Sequence, residues 1–195
     1  MRRLVSHVLL FSLAVAGAGC ASPRANFYTL SPAARPAAAA SGTSVSVGPV
    51  SVPAAIDRPQ MVLRVSPNEV FIDEFNRWAS PLPDEIARVV AGNLASTLGT
   101  QQVSVYPGPT ASGARYRVVI DIMALDSAPG ESAALDAVWS VRSAKNGASR
   151  AGRTTTREAV PEKGFPALDA AHSRALETLS ADIAGAIREV ARGEQ

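Results

Sequence analysis

Leu168, His172, Leu176, Leu179, Ile183, Ile187 and Val190 recur at steps of four and three, with Ala171, Ala175 and Ala186 flanking them. This period predicts one long helix from about Pro166 to Ala191, apolar along a single stripe. A stripe of that length has to be buried against a second layer, and the preceding residues have the pattern to build one. In "ARYRVVIDIMAL", Tyr116, Val118, Ile120 and Ile122 share a strand face opposite Arg115, Arg117 and Asp121. In "AALDAVWSVRS", Leu135, Ala137, Trp139 and Val141 do the same, and Asn146-Gly147 predicts a hairpin into "SRAGRTTTREAV". Tyr116 and Trp139 fall on these apolar faces and are assigned to the core rather than to ligand stacking.

Further upstream, Val45, Val47, Val50 and Val52 alternate, and Pro49 restricts their strand to an edge or a bulge. "MVLRV", Glu69 to Phe75, and Gln102 to Pro107 read as further strands. Between them a helix is predicted, with Ser80 as its cap, Pro81 and Pro83 in the first turn, and Asp84 and Glu85 at the positive end of the dipole. Ile86, Val89, Val90, Leu94 and Leu98 form its apolar stripe and Gly99 ends it. Strands, helix, strands, helix implies a single-domain α/β sandwich: a mixed, mostly antiparallel sheet with two principal helices packed on it. No repeat of solenoid period is present.

Cys20 is the single cysteine of the chain. It follows Arg2 and Arg3, an apolar run from Leu4 to Ala16, and the small residues Gly17, Ala18 and Gly19. That is the layout of a signal peptide at 1–19, too short in its apolar part to span a bilayer. A cysteine directly after the small residues points to a lipoprotein signal, although Gly17 stands where the lipobox usually has leucine. The other reading is an ordinary secretory signal with a stray thiol; acylation accounts for the lone cysteine better, because several acyl chains give durable anchoring. In the lipoprotein class that this signal resembles, aspartate after the cysteine commonly retains the product at the inner membrane, so the resemblance implies the outer membrane for Ala21. Residues 20–43 then form a lipidated N-terminus with a possible short strand at 27–30 ("FYTL") and an Ala/Pro-rich flexible segment; the domain proper is 44–195. If "FYTL" docks, about six residues of tether reach at most roughly 20 Å. If it does not, the leash runs to residue 43.

Removing Arg2 and Arg3 from the 19 basic residues balances the remainder against the 17 acidic ones, so the pI near 9.0 overstates the basicity of the processed chain. Nothing in that balance points to nucleic acid. Arg150, Arg153 and Arg157 lie close together, either as a solvated strand and turn or in contact with lipid head groups. Chemistry is sparse. His172, the one histidine after the signal, lies on the apolar stripe, where a hydrogen-bonded packing role is expected; Ser173 beside it faces elsewhere on a helix. Asp73 and Glu74, adjacent on a strand, face opposite ways. No metal-ligand spacing, nucleophile elbow or phosphate loop occurs. The expectation is a binding or assembly module with no catalytic residue, no metal and no cofactor beyond a covalent lipid such as palmitate at Cys20.

Five segments, "FYTL", "VGPVSVPAAIDRPQMVLR", "NEVFIDEFNRWASPLPDEIARVVAGNLASTLG", "YRVVIDIMALD" and "AAHSRALETLSADIAGAI", together resemble the PqiC-like family of ABC-type transport auxiliary lipoproteins. The resemblance spans the mature chain in order, and "DRPQMV" followed by "RWASPL" is its most specific part. It implies a compact α/β lipoprotein at the periplasmic face of the outer membrane. It also implies a partnership with MCE-domain proteins in lipid transport, a contribution to membrane integrity, and homo-oligomers in some relatives. The motif falls on Asp57, Arg58, Pro59, Gln60, Arg77 and Trp78. Pro59 forces Arg58 into extended geometry. Arg58 then either meets a partner or pairs internally with Asp57, Asp73 or Glu74, and Trp78 either plugs a core edge or anchors an interface. The alternative function is a periplasmic carrier of lipid or small molecules, which requires an apolar cavity; a hydrolase built on His172 is the remaining reading.

Overall fold

The computed structural model describes residues 23–33 and 42–194. The signal segment, Cys20 and most of the Ala/Pro-rich stretch lie outside the described residues. The chain runs through β1 (Asn26–Tyr28), β2 (Val45–Ser51), β3 (Gln60–Ser66), β4 (Glu69–Trp78), α1 (Leu82–Leu98), β5 (Val103–Val105), β6 (Tyr116–Ala128), β7 (Ser132–Ser143), β8 (Ser149–Ala159) and α2 (Phe165–Arg192). The strands divide into a five-stranded sheet of order β5-β2-β6-β7-β8 and a three-stranded sheet of order β1-β4-β3. The long β6-β7-β8 ladders and the β3-β4 hairpin are antiparallel; β1 with β4, and β2 with β5 and β6, are parallel.

Both helices cover one face of the larger sheet. α1 packs on β2 and β5, α2 on β6, β7 and β8, and the helices pack on each other. The alternation read from the sequence meets this layer: Tyr116, Val118, Ile120, Ile122, Leu135, Ala137, Trp139 and Val141 are all buried beneath the helices' Ile86, Val90, Leu94, Leu176, Leu179 and Ile183. Trp139 is locked as well as buried. Its indole Nε1 donates to Thr154 Oγ1 at 3.0 Å, and Thr154 donates on to Asp182 Oδ2 of α2 at 2.6 Å. The ring lies over the backbone of its cross-strand neighbour Gly152, where a Cβ would fall 2.4 Å from Trp139 Cζ2. Glycine is required there by close approach.

Pro49 resolves into the bulge rather than the edge. β2 runs inside the sheet, its register with β6 shifts between Val47 and Val50, and Gly48 takes φ 121° to let the proline bulge outward. Gly99 ends α1 in the left-handed conformation, its amide and the next capping Ser96 and Ala95 carbonyls. Ser80, in contrast, does not cap α1. Pro81 is the N-cap at ψ 131°, no side chain bonds the first turn, and Ser80 sits one residue too far out. Nor does Glu85 serve only the dipole: it is buried and holds the N-terminal segment. Leu30 N donates to Glu85 Oε2 at 3.2 Å and Thr29 Oγ1 does so at 2.9 Å, while Arg88 bridges Glu85 to the Leu30 carbonyl. Ser31 N donates to Ser173 Oγ at 3.1 Å and Ala33 N to Asn93 Oδ1 at 3.0 Å. Residues 26–33 therefore strap across both helices, and "FYTL" is docked.

The basic residues Arg150, Arg153 and Arg157 are separated by their partners, Glu189, Asp136 and the Ser132 hydroxyl respectively. No helix among the described residues is long and apolar enough to cross a membrane.

Candidate functional site

The turn at 53–59 is built by Ile56 N and Asp57 N donating to Pro53 O, and by Arg58 N donating to Ile56 O. Pro59 then sends the chain into β3, and its carbonyl accepts from Trp78 N at 2.7 Å, while Ala79 N donates to Tyr28 O at 2.8 Å. These two bonds bring three distant segments together: the Asp57–Pro59 turn, the end of β4, and β1. Between them and the start of α1 lies a groove of about 430 Å³, lined by Asp57, Arg58, Pro59, Trp78, Leu82 and Phe27.

Trp78 forms the floor. It is 6% exposed and its ring meets the His172 ring edge-on at 6.4 Å between centroids. Phe27 forms a rim and is 64% exposed. Arg58 is half-buried. The internal pairing expected with Asp57, Asp73 or Glu74 is not formed: among the described residues the Arg58 guanidinium has no ion pair, and its buried Nε has no hydrogen-bond partner. The carboxylates are committed elsewhere. Asp73 accepts from Phe75 N, Asn76 N and Asn76 Nδ2, closing a wide bulge in β4; burial opposes its ionisation, yet these bonds hold its carboxyl below the usual range. Glu74 accepts from Gln60 Nε2 at 3.1 Å and pairs with Arg77.

Four of the six motif residues thus share the groove, and the other two do not. Gln60 and Arg77 are register partners across β3 and β4, tied to Glu74 on the outside, because Arg77 and Trp78 alternate across the strand. Phe27 and Leu82 complete the groove and were not legible as site residues. The signal for Phe27 is only its place at the start of a strand whose pairing partner cannot be read locally. An apolar floor and rim beside an unpaired guanidinium suit an apolar group carrying a carboxylate or phosphate.

His172 lies behind Trp78, fully buried, with Nε2 2.8 Å from Ser127 Oγ and Nδ1 without a hydrogen-bond partner among the described residues. Ser173 Oγ is occupied by the Ser31 amide. Burial lowers the His172 pKa to about 4 and raises that of Asp169, one turn earlier, to about 7. The Tyr28 hydroxyl donates to Asn76 Oδ1 at 3.0 Å; burial, then the Asp169 and Asp73 charges, push its pKa up. No group of three or more His, Cys, Asp or Glu able to hold a metal ion occurs among the described residues.

A family model described as ABC-type transport auxiliary lipoprotein component matches residues 28–184, from β1 into α2. Two crystal structures share the fold. One, of an uncharacterized protein, is 19% identical with a TM-score of 0.69 and covers 85% of this chain and 99% of its own. The other, a Xanthomonas campestris protein of family DUF330, is 18% identical with a TM-score of 0.63 and covers 87% and 98%. At these identities the likeness is one of fold. A comparison with curated proteins finds no match. With the match extending over the groove, both sheets and most of the helical layer, the chain belongs to the PqiC-like family of ABC-type transport auxiliary lipoproteins, a family of transport components and not of enzymes.

Proposed function

We propose that the protein is a non-enzymatic lipoprotein subunit of an MCE-type lipid transport system, cleaved before Cys20, acylated there, and held at the periplasmic face of the outer membrane. The groove of Asp57, Arg58, Pro59 and Trp78 is its docking site for the MCE-domain partner, with Arg58 receiving an acidic group of that partner. One observation carries this reading: the half-buried Arg58 guanidinium lines an apolar groove with no carboxylate paired to it among the described residues. The position of the groove supports it. Phe27 on the rim is seven residues from Cys20, so the groove lies within roughly 23 Å of the anchor at about 3.3 Å per residue. Five exposed apolar side chains, Phe27, Val65, Val70, Phe71 and Phe75, belong to or border the three-stranded sheet, and we assign that sheet to contact with a second copy of the chain. Phe71→Ser is expected to shift the sedimentation of the full chain in detergent toward monomer; unchanged sedimentation argues against this assignment.

The docking reading is tested by a mild-detergent pull-down of the C-terminally tagged full-length chain from its native envelope, with bound proteins identified by mass spectrometry. An MCE-domain protein recovered with the wild type and lost with Arg58→Glu is the expected result. Recovery of the lipoprotein alone transfers weight to the lipid carrier and makes bound-lipid extraction the deciding measurement.

A further inference from the structure

On the face of the five-stranded sheet away from the helices, Ser46, Arg117 and Arg142 stand in one row, Arg117 directly opposite Ser46 on β2 and Arg142 on β7. Like charges at opposed positions of an antiparallel pair destabilise a sheet unless something neutralises them. Among the described residues neither arginine forms an ion pair, and three carboxylates of this sheet and its flanks have partners of their own: Asp121 takes the Ser51 hydroxyl, Asp136 takes Arg153, and Glu194 takes Arg115. The loop at 108–114 borders this row. Its Ala111 is 3% exposed, and Arg115 N and Tyr116 N pin its end to the hydroxyl and carbonyl of Ser44. A half-open pocket of about 270 Å³ lies beside the loop, lined by Ser46, Ser112, Arg117, Arg142 and Ser143, with both arginines exposed. Ser46 is fully buried and its Oγ has no hydrogen-bond partner among the described residues, which is costly for a hydroxyl in a sheet interior. The Arg117 guanidinium is held 5.4 Å over the Tyr106 ring, so one of the two charges is positioned in advance.

We propose that this pocket is an oxyanion site for a phosphate group, bound by the Arg117 and Arg142 guanidiniums with the Ser46 and Ser112 hydroxyls donating. Phosphate chemistry fits better than a carboxylate. A tetrahedral anion of up to two charges neutralises both guanidiniums together, and its oxygens also accept hydrogen bonds from the hydroxyls; a single carboxylate leaves one guanidinium unneutralised. The volume of about 270 Å³ admits a phosphate or the phosphodiester of a head group. The site is distinct from the Arg58 groove, which lies by the smaller sheet.

The test is thermal unfolding and isothermal titration of the full chain in nonionic detergent, comparing inorganic phosphate with chloride at equal ionic strength. The expected result is a saturable rise in Tm with phosphate and a heat of binding. Arg117→Gln with Arg142→Gln should abolish both, and Ser46→Ala, which removes an unpartnered hydroxyl without harming the fold, should weaken binding about threefold to tenfold. Monomeric dihexanoyl phosphatidylglycerol separates the sources: binding by it that depends on the same arginines identifies a lipid head group, and binding of inorganic phosphate alone identifies a free phosphate. The proposal is overturned by an equal phosphate response in the wild type and the arginine variant, or by no response in the wild type. Should the arginine variant misfold, an affinity unchanged in Ser46→Ala overturns it equally.

Discussion

Asp169 and His172 sit one turn apart on α2, and burial pushes their pKa values toward each other's range, to about 7 and about 4. Their contributions to stability have opposite sign. Between about pH 4 and 6.5 the unfolded histidine binds a proton that the buried His172 refuses, so His172 makes stability rise with pH and its contribution is lost as pH falls. Between 3.8 and about 7 the buried Asp169 holds a proton that the unfolded chain releases, so its contribution is present at low pH and lost as pH rises. The two slopes largely cancel over the shared window. Asp169→Asn is expected to unmask the histidine, with stability falling by roughly 3 kcal/mol from pH 7 to pH 4. His172→Asn should show the reverse slope in the same denaturant titrations. A wild type steeper than both variants would refute the cancellation. The sequence placed His172 on the apolar stripe with Asp169 three residues before it, but the burial of Asp169 was not legible, because the N-terminal segment that covers it arrives from more than a hundred residues away.

Among the elements, the strap at 26–33 depends on one side chain of α1. Glu85 accepts from Leu30 N, Thr29 and Arg88, and its loss leaves a buried amide without a partner. Glu85→Ala is expected to cost about 1.5–3 kcal/mol in denaturant unfolding, as for hydrogen bonds to a charged group. It should also raise amide exchange at Leu30 above that of the α1 core, whereas Glu85→Gln retains an acceptor and loses less. Exchange at Leu30 that stays as slow as at Val90 would show that packing, not Glu85, holds the strap. The residue types were readable, since acidic residues in a first turn suit a helix dipole. The tertiary use was not: the dipole explains an exposed carboxylate, and Glu85 is buried. Ser80 failed as a cap for a related reason, the chain entering α1 through Pro81 rather than one residue earlier.

For the whole molecule, docking of β1 converts the length of the N-terminus into a distance from the membrane. With β1 paired to β4, the proposed anchor at Cys20 is six residues from the docked Asn26, and on that proposal the Arg58 groove lies near the bilayer. Inserting ten Gly/Ser residues after Arg24 adds up to roughly 33 Å of reach. It is expected to leave the unfolding transition unchanged while lowering recovery of the partner in the pull-down; undiminished recovery would show that docking does not depend on closeness to the membrane. The periods of 2 and 3.6 along this chain already dictated which residues face inward, where both helices lie, and that Pro49 interrupts a strand, because these depend on neighbours a few residues apart. The division of the strands into two sheets, the Pro59–Trp78 bond that assembles the groove, the isolation of Arg58 from its nearest carboxylates, and the row of Arg117 and Arg142 were decided by folding. Each depends on which distant segments pair and in what register, and a hydrogen-bonded ladder leaves no trace in the local pattern of either strand.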